Sequence, residues 1–579
     1  MNAPTPFVTK NLAPANTRRI ITGTVTRSLA VSVSLLALFT SGCSKEATHQ
    51  AASSTSAILS TPLLSKLPTT TAGFAVVDLA GDGYKNLQKS PWGRSFGFSN
   101  LEDKLDGMRG RGADESQIIV AETALKALKK LGLVGTDGTS IAGKVISTGV
   151  AFFGPSTGAL PFDAGIFLGA APSVDMKEKL AVIKSVLSDA GLTVTEQQIA
   201  GQSGIKATPP DSETAEIALY VAASDKELGI AVSKTTLEGL FASTPTSTLE
   251  TLKGLPEFKK AENAVKSSEA PVSFSFLSVP RLMPLLEQAQ DEEFNPKELP
   301  VESVASFVGC SRQYVGQVAV SLSAKNEAQK KILSAIEGAS LPSSSLKLPR
   351  DAAFSLSLNT AVLTKLEQVA TAVDESGIDG AALVKHIRGL TLGARANSNG
   401  SPFPDLLLAI DTDKPQELSA LVERLLSLGL MAAGQQAQWQ SKEIAEVKAR
   451  YFSTIIGIGV YMTSAKNSES VLIGTSEKAL SDLIATSSDA SKGIQGGLSE
   501  SLKTRVPTSS LGLLYVNFPL VATVVDSVKG SLGILGADSR EIDQAFNSAY
   551  ISSLGTALGD VSYTDGVLKL QSASEATQR

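Results

Sequence analysis

Histidine, the usual acid–base residue, is scarce here: the 579-residue chain has two, His49 and His386. A Ser–His–Asp or Cys–His arrangement needs an imidazole held by the fold to take the nucleophile's proton. His49 stands in a Ser/Thr/Ala-rich stretch, which leaves His386 in Val384-Lys385-His386-Ile387-Arg388, just ahead of Gly389. Basic side chains in that setting suit the negative end of a helix dipole, so His386 is expected to close a helix rather than to catalyse. A zinc site of His and Cys is short of ligands, because Cys310 is the only cysteine after Cys43. Cys310 follows the apolar run Val304-Ala305-Ser306-Phe307-Val308-Gly309 and reads as a buried small hydrophobe. No intrachain disulfide is therefore expected. No catalytic set, metal or cofactor is expected.

Four further spacings approach known chemistry and fall short of it. Gly138-Thr139-Ser140-Ile141-Ala142-Gly143-Lys144-Val145 resembles a phosphate loop, but Val145 stands where a hydroxyl must hold magnesium. A loop-to-helix turn is expected there. Gly107-Met108-Arg109-Gly110-Arg111-Gly112 is glycine-rich without dinucleotide spacing, and Asp411-Thr412-Asp413 begins like a calcium loop but lacks the turn glycine before Pro415. The latter is expected to be a surface turn at a strand end. Ser344-Ser345-Leu346-Lys347 has the Ser-x-x-Lys spacing of some acyl enzymes, inside a Ser-rich link expected to be too loose to position it. Acids are numerous, so a hydrolase using paired carboxylates is the one enzyme class left open. Asp291-Glu292-Glu293 is read as a solvated loop. Trp92, beside Pro91 and Gly93, and Trp439, in a Gln-rich stretch, suit either a contact anchor or a plug at a core margin.

The elements that must position these residues follow from hydrophobic spacing. Strand-like runs occur at 74–79, 149–153, 164–169, 217–224, 228–233, 272–279, 304–308 and 315–322. Helical spacing marks 115–131, 175–190, 234–241 and 326–336. The same order then begins again. Leu348-Pro349 and Phe354 answer Leu67-Pro68 and Phe74; Ile458-Gly459-Val460-Tyr461 answers Ile217-Ala218-Leu219-Tyr220. A helix over 414–428 ending at Gly429 answers the one ending at Gly191, and Leu513–Pro519 answers Phe274–Pro280. Gly559 and Gly566 are set against Gly309 and Gly316. The expected fold is α+β: two tandem similar units of largely antiparallel sheet with packed helices. Residues 66–338 form the first, 339–347 a linker and 348–579 the second.

Charge and the N-terminus bound the setting. The net charge is −5, and four basic residues (Lys10, Arg18, Arg19, Arg27) precede Cys43 with no acid among them. The remainder is mildly acidic, which offers no footprint for nucleic acid. Arg18, Arg19 and Arg27 lead into an uncharged apolar run, Ser28–Phe39, then Thr40-Ser41-Gly42-Cys43. The run is shorter than the 20 or so residues that span a bilayer. This order resembles a bacterial lipoprotein signal peptide, whose lipobox ends in a cysteine that becomes the acylated N-terminus. Thr40 departs from the aliphatic residue preferred there. The resemblance implies a signal peptide over 1–42, lipid attachment at Cys43, and a flexible tether over 43–65. Ser44 in place of Asp implies sorting to the outer membrane, facing the periplasm. The whole resembles bacterial envelope lipoproteins with a duplicated α/β ectodomain. Such a protein is expected to act by binding or scaffolding, with an envelope protein, a glycan or a lipid as partner. The exported carboxylate hydrolase is the alternative.

Overall fold

In β8 every second residue is buried, from Val272 through Phe274 and Phe276 to Ser278, and this period of two recurs along the chain. The computed structural model describes residues 58–68, 70–95, 125–126, 129–132, 142–156, 162–208, 218–242, 255–288, 296–360, 386–397, 403–432, 438–453, 459–464, 469–534 and 547–576. The first ten strands are β1 Gly73–Asp78, β2 Ile146–Pro155, β3 Phe162–Ala170, β4 Thr193–Ile199, β5 Gln202–Thr208, β6 Leu219–Ala223, β7 Glu227–Ala231, β8 Pro271–Ser278, β9 Val301–Cys310 and β10 Tyr314–Leu322. The second ten are β11 Phe354–Asn359, β12 Ile387–Arg395, β13 Asp405–Thr412, β14 Gln440–Ile444, β15 Val447–Ser453, β16 Gly459–Ser464, β17 Ser470–Gly474, β18 Gly512–Asn517, β19 Thr556–Thr564 and β20 Val567–Glu575.

All pairings are antiparallel and join one sheet in the order β4-β5-β6-β7-β3-β2-β1-β8-β9-β10-β20-β19-β18-β11-β12-β13-β17-β16-β15-β14. Strands β11 to β20 pair with one another as β1 to β10 do. The fold is α+β, with two tandem similar units of antiparallel sheet and packed helices. The halves meet where β10 pairs with β20, and Gln317 faces Gln571 across that seam. A pseudo-twofold axis passes between these two glutamines, because each occupies the same place in its own half: Gln317 faces Phe307, and Gln571 faces Asp560.

Register fixes which residues correspond. Tyr220 faces Lys206 and Tyr461 faces Tyr451, so the two tyrosines are equivalent. Gly73 faces Phe153 and Leu277, while Phe354 faces Ala394 and Val516. Phe354 therefore answers Gly73, one place away from Phe74. Nor do Gly559 and Gly566 answer Gly309 and Gly316. Gly566, at φ +70, makes the β19–β20 turn, whereas Gly316 lies inside β10. A constant sequence offset ignores the different hairpin lengths.

Helices clothe both faces. Those that matter below are α1 Asp82–Lys89, α2 Pro91–Ser95, α3 Met176–Asp189, α4 Lys234–Phe241, α5 Pro256–Ala264, α6 Val279–Gln288, α7 Pro415–Ala432, α8 Glu477–Ser488 and α9 Phe518–Ile534. Among them α3, α4 and α8 start on side-chain caps: the Asp175, Ser233 and Ser476 side chains accept from the N–H groups of Lys177, Thr236 and Ala479. On one face Leu237 and Leu240 of α4 and Phe258 of α5 pack with Phe74, Phe167, Phe274, Phe276 and Phe307. Leu480 and Leu483 of α8 continue that layer over Leu407, Leu472 and Leu513. On the other face α1 and α3 form a cluster with Val77, Val221 and Leu228, and α7 forms a smaller one with Ile410, Met462 and Val471.

Three expectations need correction. Ile58, Leu59, Leu63 and Leu64 are buried in the first core, so the tether over 43–65 stops short and folding begins before residue 66. Four apolar side chains at this spacing are too costly to leave in water. Gly429 does not end its helix, since α7 runs on to Ala432. Gly191 stops α3 by adopting φ +84, with the Leu192 N–H bonding back to the Leu187 carbonyl. Gly429 is followed by Leu430 and Met431, and a helical glycine costs only about 1 kcal/mol. Finally, the linker over 339–347 is an ordered part of the second half, with Ser344 and Leu346 buried.

Candidate functional site

Where helices leave the sheet bare, the central eight strands form a trough. It crosses β1, β8, β9 and β10 of the first half and β20, β19, β18 and β11 of the second, and encloses about 670 Å³. Strand alternation selects its lining. Val77, Ser273, Val308, Gly316, Ser572, Gly559, Leu514 and Leu356 form one row of cross-strand neighbours. Ala75, Ser275, Ser306, Val318, Leu570, Val561, Gly512 and Leu358 form the next. Four large apolar side chains on these rows are exposed: Val318 at 37%, Leu358 at 40%, Leu514 at 43% and Leu570 at 42%. Glycines 316, 512 and 559 carry no side chain, which keeps the floor open. One end is walled by aromatics, with Trp92 of α2 stacked on Tyr314 (ring centroids 6.1 Å apart) and edge-on to Phe518 of α9 (5.5 Å). Among the described residues, Tyr314 and Asp560 are the titratable groups along the trough. Burial holds the Tyr314 hydroxyl above its ordinary value, so it stays neutral.

Asp560 turns to the opposite, covered face, between Leu513 and Gln571. Burial pushes its carboxyl up to about 6, against a hydrogen bond from Gln571 and the field of Lys569, which both favour the charged form. Its Oδ2 has no partner, and neither has Oε1 of Gln317 beside the seam. In the first half the equivalent of Asp560 is Phe307, which fills the same space with hydrocarbon.

The residues singled out in the sequence are scattered. His386 precedes β12 and its Nδ1 lies 2.8 Å from Asp413, which also pairs with Arg388. The helix expected to end there would fall in residues before 386 that lie outside the described ones, and the strand begins at Ile387. Asp411 is 3% exposed, not a surface turn. It accepts from Ser343 Oγ (3.0 Å), the Ser344 N–H (2.9 Å) and Ser470 Oγ (2.9 Å). Ser344 is therefore rigidly held, contrary to expectation, with its Oγ 2.8 Å from Thr391 Oγ1. A cavity of about 210 Å³ lies here, bounded by Ser343, Lys347, Glu469 and Ser487. Trp439 donates to Ser427 Oγ (2.9 Å) and packs edge-on to Phe452, closing a core margin as Trp92 does.

Cys310 is wholly buried, as expected. Cys43, the one other cysteine, lies outside the described residues. A bond to it and an acyl chain on it are mutually exclusive. The glycine-rich run 107–112, the acidic run 291–293 and residues 138–141 also lie outside the described residues; Ala142–Val145 is a short helix.

One motif-shaped spacing passed over in the sequence is Gly154-Pro155-Ser156-Thr157-Gly158, which fits Gly-x-Ser-x-Gly. A nucleophile elbow needs a strand turning into a helix. Here Gly154 and Pro155 face Asp163 and Phe162 in the β2–β3 hairpin, so the required context is missing. The trough itself had no motif to announce it. Its signal was the Leu, Val, Ser and Gly residues at alternate positions, which mean something only once strands are in register.

No protein-family model matches the sequence, and no curated protein matches it. Solved structures of TP0453 show a likeness. Crystal form III aligns at TM-score 0.23 and 10% identity, over 48% of this chain and 88% of that one. Crystal form I aligns at TM-score 0.22 and 10% identity, over 49% and 88%. Crystal form IV aligns at TM-score 0.21 and 9% identity, over 45% and 79%.

Proposed function

We propose that this chain is a binding protein of the bacterial envelope, anchored through acylated Cys43, which holds an apolar or amphipathic ligand in the central trough. The observation that carries the reading is the trough. Exposed Leu358, Leu514, Leu570 and Val318 form a contiguous apolar patch along a concave surface of ligand size, where a monomer gains nothing by leaving hydrocarbon in water. Chemistry has no comparable support: Asp405 holds Arg395, Asp411 the 340–347 segment, Glu269 pairs with Arg505, and Asp560 turns away from the trough. No helix among the described residues is long and apolar enough to cross a membrane. Attachment in this reading therefore falls to the lipid.

Two measurements test it. Nile red, an apolar dye whose emission rises on leaving water, should bind the mature chain. Leu514→Asp with Leu570→Asp, both at exposed positions, should remove that binding while the far-ultraviolet dichroism stays the same. An undiminished dye signal in the double variant refutes the trough. Cys43→Ala should release the chain from membranes or leave its signal uncut. Mass spectrometry of the native N-terminus should find an acyl group on Cys43, and a Cys43–Cys310 disulfide in its place would end the anchored reading.

A further inference from the structure

The two arms of the trough have the same backbone and lean to different chemistry, with Val318 of the first answering Ser572 of the second as the exception to the trend. By register Ala75 corresponds to Leu356, Val77 to Leu358, Ser275 to Leu514 and Gly316 to Leu570. The second half thus lays four leucines along its arm where the first has alanine, valine, serine and glycine. The first half gathers hydroxyls instead, at Ser273, Ser275 and Ser306, with the Oγ atoms of Ser275 and Ser306 2.7 Å apart. That pair uses one hydroxyl proton and leaves the other hydroxyl, with spare lone pairs, for a ligand. Among the described residues lining the trough, neither arm offers a counter-ion: Asp560 faces the other way and Tyr314 is neutral. Transfer of an ionised head onto such a surface would cost desolvation with nothing to offset it.

We infer that the trough takes an amphiphile with an uncharged, hydrogen-bonding head, such as a glycerol ester. Its hydrocarbon lies over Leu356, Leu358, Leu514 and Leu570, and its head over Ser273, Ser275 and Ser306. This rests on the trough being the binding surface. The trough crosses seven strand spacings of about 4.8 Å, on the order of 30 Å, which is room for a long hydrocarbon tail and a head laid end to end.

The test is competition against Nile red on the full mature chain at pH 8, using monopalmitoylglycerol and palmitate, which share a tail and differ in head charge. The glycerol ester should displace the dye at about one-tenth the concentration palmitate needs. Converting the first arm to the second by Ser275→Leu with Ser306→Gly should remove that preference, read as the ratio of the concentrations at which the two competitors displace the dye. Equal or better competition by palmitate overturns the inference, as does a preference that survives the double substitution. The proposed function fails separately, through dye binding that is indifferent to Leu514→Asp and Leu570→Asp. A neutral preference lost only in the serine variant supports both.

Discussion

Each half of the sheet buries an aspartate at the same register position, Asp163 facing Gly154 and Asp405 facing Arg395, and the two halves neutralise it differently. In the second half Arg395, 1% exposed, reaches Asp405 (3.3 Å), Asp351 (3.0 Å) and Asp482 (2.7 Å). In the first half Thr236 of α4 donates to Asp163, and burial raises that carboxyl above its ordinary value. No arginine could stand at Gly154, because a Cβ there would come within 2.4 Å of the Thr70 carbonyl oxygen. The same divergence recurs under the sheet. Next to Gly169 the first half packs Leu63, whose Cδ1 would lie 3.5 Å from an added Cβ. The second half has Asp411 at that register position and answers it with Ser343, Ser344 and Ser470. One backbone plan therefore tolerates either hydrocarbon or a fully engaged carboxylate at an equivalent site.

The largest effect that sharpens this comparison belongs to Arg395. Arg395→Leu should cost about 3–5 kcal/mol in denaturant unfolding, since it strands the fully buried Asp405. Thr236→Val should cost only about 1–2 kcal/mol, because Asp163 can take up a proton instead. Equal losses would mean that the two aspartates are not solved differently after all.

Next comes Asp560, where the first half has Phe307. Its carboxyl is raised to about 6 in the fold from near 3.8, so folding takes up a proton between those values. The charged form weakens the folded state, so this group's cost is absent below pH 4 and complete above pH 6. Asp560→Asn should therefore stabilise the chain by about 2–3 kcal/mol at pH 7.5 and by nothing at pH 3.5. A melting-temperature difference that does not change with pH would remove Asp560 from the comparison.

The smallest effect lies in the outer hairpins. Ala200-Gly201 and Ala445-Glu446 both turn with positive φ at the two central residues, as a type I′ turn requires. Glu446 at φ 62 carries strain that Gly201 avoids. Glu446→Gly should gain up to about 1 kcal/mol and Gly201→Glu should lose as much, both read from chemical denaturation. Opposite signs would show that the hairpins are held by something other than their turns.

How much of this was legible in the sequence depended on the range of the interaction. The α+β class, the capped helices at 176 and 234, and the match of Tyr220 with Tyr461 all follow from local spacing. Ser344 looked loose because its restraints, Asp411 and Thr391, lie about fifty to seventy residues away in the chain. The contact of His386 with Asp413 was equally out of sight, because it joins residues that only the pairing of two strands brings together. The hairpin over β4 and β5 was missed since both strands are largely polar, with one face toward water. The trough needed eight strands in register before Leu514 and Ser275 could be seen as counterparts.

The seam has a consequence for how such a chain could have begun. Eight consecutive residues of β10, Tyr314 to Ser321, pair with β20 around the Gln317–Gln571 midpoint, which is the symmetric contact that two copies of one half would make. Cut between the halves, each fragment would carry an unsatisfied ribbon of peptide groups and would self-associate into an isologous dimer. Joining them in one polypeptide frees each partner to change alone, which no homodimer permits, and a trough with leucines along one arm and serines along the other is what that freedom allows.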